Sequence, residues 1–86
     1  MISVVKRYGT KEEFIPEKIV ASISKVGASS KIARNIAKTV EGKAYDGITT
    51  SKIREIVLSA LSEQNSELAT NWVLYERAIK KRREQE

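Results

Sequence analysis

Apolar and polar positions change period along this chain, and the changes mark its elements. Ile2-Ser3-Val4-Val5-Lys6 is short and β-branched, which predicts a strand. Tyr8-Gly9-Thr10 predicts a turn, because Gly9 reaches positive φ at no steric cost, and Glu12 to Ile15 predicts a second short strand. Together they suggest a hairpin over residues 2–15. A lone hairpin is marginal in water, so it must pack on something.

From Pro16 the period becomes helical. Pro16 suits a first helical position, where its missing N–H is no loss. Ile19, Val20, Ile23 and Val26 follow at helical spacing, and Gly27 is a plausible C-cap, predicting a helix over 16–27. Ser29 or Ser30 caps a second helix over 30–42, with Ile32, Ala33, Ile36, Ala37 and Val40 on one face and Gly42 as its stop. Tyr45-Asp46-Gly47-Ile48 predicts a connecting loop with a turn at Asp-Gly. Thr49, Thr50 or Ser51 caps a third helix over 50–63, with Ile53, Ile56, Val57, Ala60 and Leu61 inward. Asn65 or Ser66 caps a fourth over 66–84, striped by Leu68, Ala69, Trp72, Val73 and Ile79. It ends in Lys80-Lys81-Arg82-Arg83, cations that complement a helix C-terminus. The expectation is one α+β domain over 1–86, mostly α: a hairpin and four helices.

Composition narrows the chemistry. Sixteen Lys+Arg against eleven Asp+Glu leave a net charge of +5, which favours an anionic partner. Cys and His are both zero, so disulfides, zinc ribbons, thiol catalysis, Ser/His/Asp triads and imidazole acid–base work are excluded. No apolar run nears the roughly 20 residues of a spanning helix. The start, Met1 to Gly9, lacks a signal-peptide core, so a cytoplasmic protein without membrane attachment is the default expectation. Neither a GxxxxGK[ST] loop nor a GxGxxG turn is present. Carboxylates are available, but nothing marks a pair as catalytic, so binding without hydrolysis is expected and no enzyme.

Two places could hold an anion. Lys6-Arg7 precede the turn, and Lys18 lies in the first turn of helix one, so a hairpin lying against that helix would gather three cations. Arg offers a bidentate fork and Lys a point charge, as a polyphosphate requires. The plainer reading is a solvated charged hairpin. The second place is Thr50-Ser51 with Arg54 one turn further on, where free N–H groups and hydroxyls attract anions. Its plainer reading is an ordinary N-cap. Glu12 could pair with Lys6 or Arg7, or accept from a base amine or ribose hydroxyl. Tyr8 and Phe14 could border a base, though Phe14 fits the core better. Trp72 and Tyr75 suit core or helix–helix packing better than base stacking.

Three segments carry a family resemblance. Val4-Val5-Lys6-Arg7-Tyr8-Gly9 through Glu12, Phe14 and Lys18-Ile19 resembles the opening of an ATP-cone domain. Tyr45-Asp46-Gly47-Ile48-Thr49-Thr50-Ser51-Lys52-Ile53 resembles a second segment of the cones of class I ribonucleotide reductases. Trp72-Val73-Leu74-Tyr75-Glu76-Arg77 resembles the family's last helix. The resemblance implies an allosteric module that binds ATP or dATP between a small β-sheet and the four-helix bundle that it caps. It places Lys6, Arg7 and Lys18 on phosphates, Glu12 on the nucleoside, and Thr50 and Arg54 closing the phosphate side, with Mg²⁺ a candidate companion and no metal site of the protein's own. Two positions depart from the pattern: Tyr8 replaces an Asp, and Arg54 stands where reductase cones often carry His. Cones normally precede a reductase catalytic domain or follow a repressor's zinc ribbon, so the expectation here is a stand-alone cone that self-associates, acts on a separate target protein, or is an excised or orphan fragment. The alternative is a small basic nucleic-acid-binding protein, against which the charges are spread and no recognition helix stands out.

Overall fold

A computed structural model of the chain describes the backbone of residues 2–85 and the side chains of residues 2–79. Three short strands and four helices follow one another: β1 (Ser3–Val5), β2 (Lys11–Glu13), α1 (Pro16–Ser24), α2 (Ser30–Lys43), β3 (Ile48–Thr49), α3 (Thr50–Gln64) and α4 (Ser66–Gln85). The fold is α+β and mostly helical.

The sheet has the order β2-β1-β3. β1 and β2 pair antiparallel with Val4 opposite Glu12. Gly9, at φ 83°, closes the turn between them, and its N–H donates to the Lys6 carbonyl at 2.9 Å. β2 lies earlier than the expected Glu12 to Ile15. Its Lys-Glu-Glu run is exposed throughout, as an edge strand tolerates, while Phe14 leaves the strand to pack against the helical core.

β3 differs from expectation more. Ile48 and Thr49 form a strand parallel to β1 inside a stretch read as loop, with Val4 opposite Ile48 and Val5 opposite Thr49. Two residues are too few to show an alternating pattern, so local sequence does not reveal them. The Asp-Gly turn before them does more than reverse the chain. Asp46 Oδ1 accepts from Ser3 N–H at 2.8 Å, and Gly47, at φ 89°, donates its N–H to the Ser3 carbonyl at 2.9 Å. These bonds dock the turn on the start of β1.

Each helix begins where its capping chemistry directs. Ile15 holds the extended N-cap position and Pro16 opens α1. Ser29 Oγ accepts from Ile32 N–H, Thr49 Oγ1 from Lys52 N–H, and Asn65 Oδ1 from Glu67 and Leu68 N–H, capping α2, α3 and α4. α1 ends at Ser24, before Gly27, because the chain tightens: Val26 and Gly27 donate to Ile23 and Ser24, three residues back. Gly42 lies inside the last turn of α2 and does not stop it; Ala44 is the C-cap. The Lys80–Arg83 side chains lie outside the described residues.

The helices share one core of Ile23, Ala33, Ile36, Val40, Val57, Leu61, Ala69 and Trp72. These are the inward positions of the four stripes. Trp72 is 4% exposed, and its indole N–H donates to Ser22 Oγ at 3.3 Å, joining α4 to α1. Tyr75 is half-buried with the Lys25 ammonium 5.8 Å from its ring centre. Trp72 is therefore a core residue and Tyr75 its partly covered neighbour. Among the described residues, no helix is long and apolar enough to cross a membrane.

Candidate functional site

Side chains alternate between the faces of a strand, so the register sorts the charged residues of the sheet. Val4 and Ile48 are paired and buried, which marks the face turned inward. Glu12 is opposite Val4, and so shares that face at the edge strand. Lys6, two residues beyond Val4, continues it past the end of β1. A buried apolar pair is thus bordered by one carboxylate and one ammonium.

The charges meet. Lys6 Nζ lies 2.8 Å from Glu12 Oε1, and Lys18 Nζ of α1 lies 3.9 Å from Glu12 Oε2. Each ammonium takes a different carboxylate oxygen. The Lys6 and Glu12 side chains are both 42% exposed and that of Lys18 is 68%, so all three remain open to a solvent-borne ligand. Exposed pairs of this kind contribute only about 0–1 kcal/mol to stability. Their arrangement is therefore available for binding without endangering the fold.

The start of α3 lies at the same end of β1. The parallel register places Thr49 beside Val5, and the next residue in each chain is Thr50 and Lys6. Thr50 Oγ1 is 3.5 Å from the Val5 carbonyl, a long contact that leaves the hydroxyl able to turn elsewhere. The free N–H groups of a helix's first turn and its dipole favour negative charge.

Arg7 and Arg54 each have a contact outside this trio. The Arg7 guanidinium sits 5.6 Å from the centre of the Tyr8 ring, at a hairpin tip where Tyr8 is 86% exposed. Arg54 Nε is shut off from water and 3.7 Å from Glu76 Oε1 of α4, an ion pair too long to be a hydrogen bond. It lines a groove of about 320 Å³ between α3 and α4, with Leu58, Trp72, Val73 and Arg77. Of the three cations expected to gather, the structure brings Lys6 and Lys18 together around Glu12. Nothing in the sequence hints at Glu76, which lies 22 residues from Arg54 and meets it only through the α3–α4 packing.

The chain matches the ATP cone domain family over residues 2–82. It belongs to the ATP-cone family. The match takes in the hairpin, the first three helices, α4 up to residue 82 and every residue of the charged cluster. ATP-cone domains are regulatory nucleotide-binding modules, related to ribonucleotide reductases, that take ATP or dATP as allosteric effectors; they are not catalytic domains. No curated protein matches the chain.

Proposed function

We propose that this ATP-cone binds ATP or dATP between the sheet and the helices, without hydrolysing it, and passes the signal on by changing its own association or by engaging a separate target protein. The Lys6–Glu12–Lys18 cluster carries the reading. It brings residues from β1's end, β2 and α1 to the edge of the sheet's buried face, beside the first turn of α3. In this reading the sheet caps the helical bundle. Phosphates lie on Lys6 and Lys18 and against the N–H groups and Thr50 hydroxyl of α3. Arg7 adds a bidentate fork by leaving the Tyr8 ring, a contact of about 0.5–1 kcal/mol at an exposed site. Arg54 contributes from the α3–α4 side if its loose pairing with Glu76 opens. Glu12 accepts from the nucleoside.

Mg²⁺ would enter with the phosphates, since no group of three acidic side chains stands together to hold it among the described residues. Transmission through α4 is supported by its outward side: Leu74 is 58% exposed, and Arg77 borders the α3–α4 groove. Tyr and Arg are frequent anchors of protein interfaces.

A ligand that binds only the native state raises its melting temperature, by about 2.7 kcal/mol of stability at a concentration 100 times Kd. Millimolar ATP or dATP, with and without Mg²⁺, should therefore shift the melting curve upward. Sedimentation under the same conditions should show a nucleotide-dependent change in mass. No thermal shift with either nucleotide would contradict binding. A shift with unchanged mass would rule out self-association and leave a separate protein as receiver.

A further inference from the structure

The stretch that leads into α3 is fastened to the start of β1. Asp46 Oδ1 accepts from Ser3 N–H at 2.8 Å, and Gly47 N–H donates to the Ser3 carbonyl at 2.9 Å. One turn thus takes both backbone groups of a residue 43 positions earlier. From this clip the two chains run side by side, Val4 opposite Ile48 and Val5 opposite Thr49. The next residues are Lys6 on one chain and Thr50, which opens α3, on the other. The rest of the joint is slight. Two paired positions make a short ladder, and parallel pairing is the less stable kind per residue. The Thr50 hydroxyl reaches the Val5 carbonyl at 3.5 Å, a long contact. The Asp46 bond is short, and a carboxylate is the stronger class of acceptor.

We infer that Asp46 is a positioning residue of the nucleotide site: by holding Ser3 it fixes β1 against the start of α3, and so keeps Lys6 beside Thr50. This inference rests on the nucleotide reading above and names what holds two parts of that site in line. Asp46 acts at the opposite end of β1 from Lys6, not on the ligand. With the clip open, the chain keeps its lysines and its α3 but loses their alignment. Apparent affinity then falls with the fraction of molecules that stay aligned.

Two consequences separate this role from plainer ones. A carboxylate can only repel phosphates through space, so deleting its charge would by itself tighten binding. Positioning predicts the opposite sign. Coupling is also reciprocal: if the clip favours ATP, ATP favours the clip.

The test is calorimetric titration with ATP of the wild type, Asp46→Ala, Asp46→Asn and Ser29→Ala, with melts to confirm folding. Asp46→Ala should weaken ATP binding by about three- to tenfold, within the range that one hydrogen bond to a charged acceptor sets on the clipped form. Asp46→Asn keeps an oxygen acceptor and should stay within about twofold of the wild type. Ser29→Ala removes the cap bond of α2, and should lower the melting temperature while leaving ATP affinity unchanged. In the wild type, saturation with ATP should slow hydrogen exchange of the Ser3 and Gly47 amides but not of the Ile32 amide at the α2 cap. If Asp46→Ala does not fold, this exchange decides alone. Wild-type or tighter binding by folded Asp46→Ala, equal weakening in Asp46→Asn or Ser29→Ala, or unchanged exchange at Ser3 each overturns the inference while ATP binding by the wild type stands. A folded wild type that binds no ATP removes the nucleotide reading itself, and the inference with it.

Discussion

Lys6→Ala combined with Lys18→Ala should bring nucleotide binding close to zero and leave the melting curve of the free protein nearly where it was. The two effects separate because the cluster is exposed. Its ion pairs are of the kind that add little to folding. A phosphate held by the same ammonium groups makes charge-assisted contacts of about 1.5–3 kcal/mol each, so either single change should weaken ATP binding by about 10- to 100-fold. The double variant should lose at least 100-fold, although neighbouring sites need not add. Titration with ATP, paired with a melt of the unliganded variant, measures both. Binding within threefold of wild type in the folded double variant would show that these lysines do not hold the phosphates.

Trp72→Ala carries the largest expected loss of stability. The indole is buried against the shared core, and its N–H bonds to Ser22 of α1. Truncating a buried Trp costs about 3–5 kcal/mol. In a domain of 60–100 residues each kcal/mol moves the melting temperature by about 4–8 °C, so a fall of well over about 12 °C is expected. Trp72→Phe retains most of the buried ring and loses the hydrogen bond, at about 1 kcal/mol. Thermal melts of the two variants should therefore differ sharply. A near-wild-type melt of Trp72→Ala would mean that α4 does not present this face to the core.

The helices could be read from the chain because their determinants are local. Stripes at a 3.6-residue period name the buried residues of α1 to α4, and Ser29, Thr49 and Asn65 stand among the residues suggested as caps. The charged cluster was partly readable for the same reason: Lys6 and Glu12 flank one tight turn, and Lys18 lies in the first turn of the next helix. What escaped the sequence depends on distant partners. β3 exists because Ile48 and Thr49 find β1, 44 residues earlier, and because Asp46 bonds the Ser3 N–H. The ends of α1 and α2 departed from the glycine signals, since tightened backbone bonds close α1 before Gly27 and Gly42 fits inside a helical turn. Arg54 illustrates the same limit at the site. Its position on α3 suggests a phosphate contact, and the Glu76 that its side chain meets lies on a helix whose approach no local pattern specifies.

Whether the nucleotide lies against the sheet is decided most directly by following backbone amide resonances of the labelled protein during titration with ATP. The largest shifts should fall at Lys6, Glu12 and Lys18 and at Thr49 and Thr50, where β1, β2, α1 and α3 converge. Residues on the outer side of α2, such as Lys31 and Asn35, should move little. Shifts concentrated instead in the α3–α4 groove, at Leu58 and Val73, with the sheet resonances unmoved, would contradict a site between the sheet and the helices.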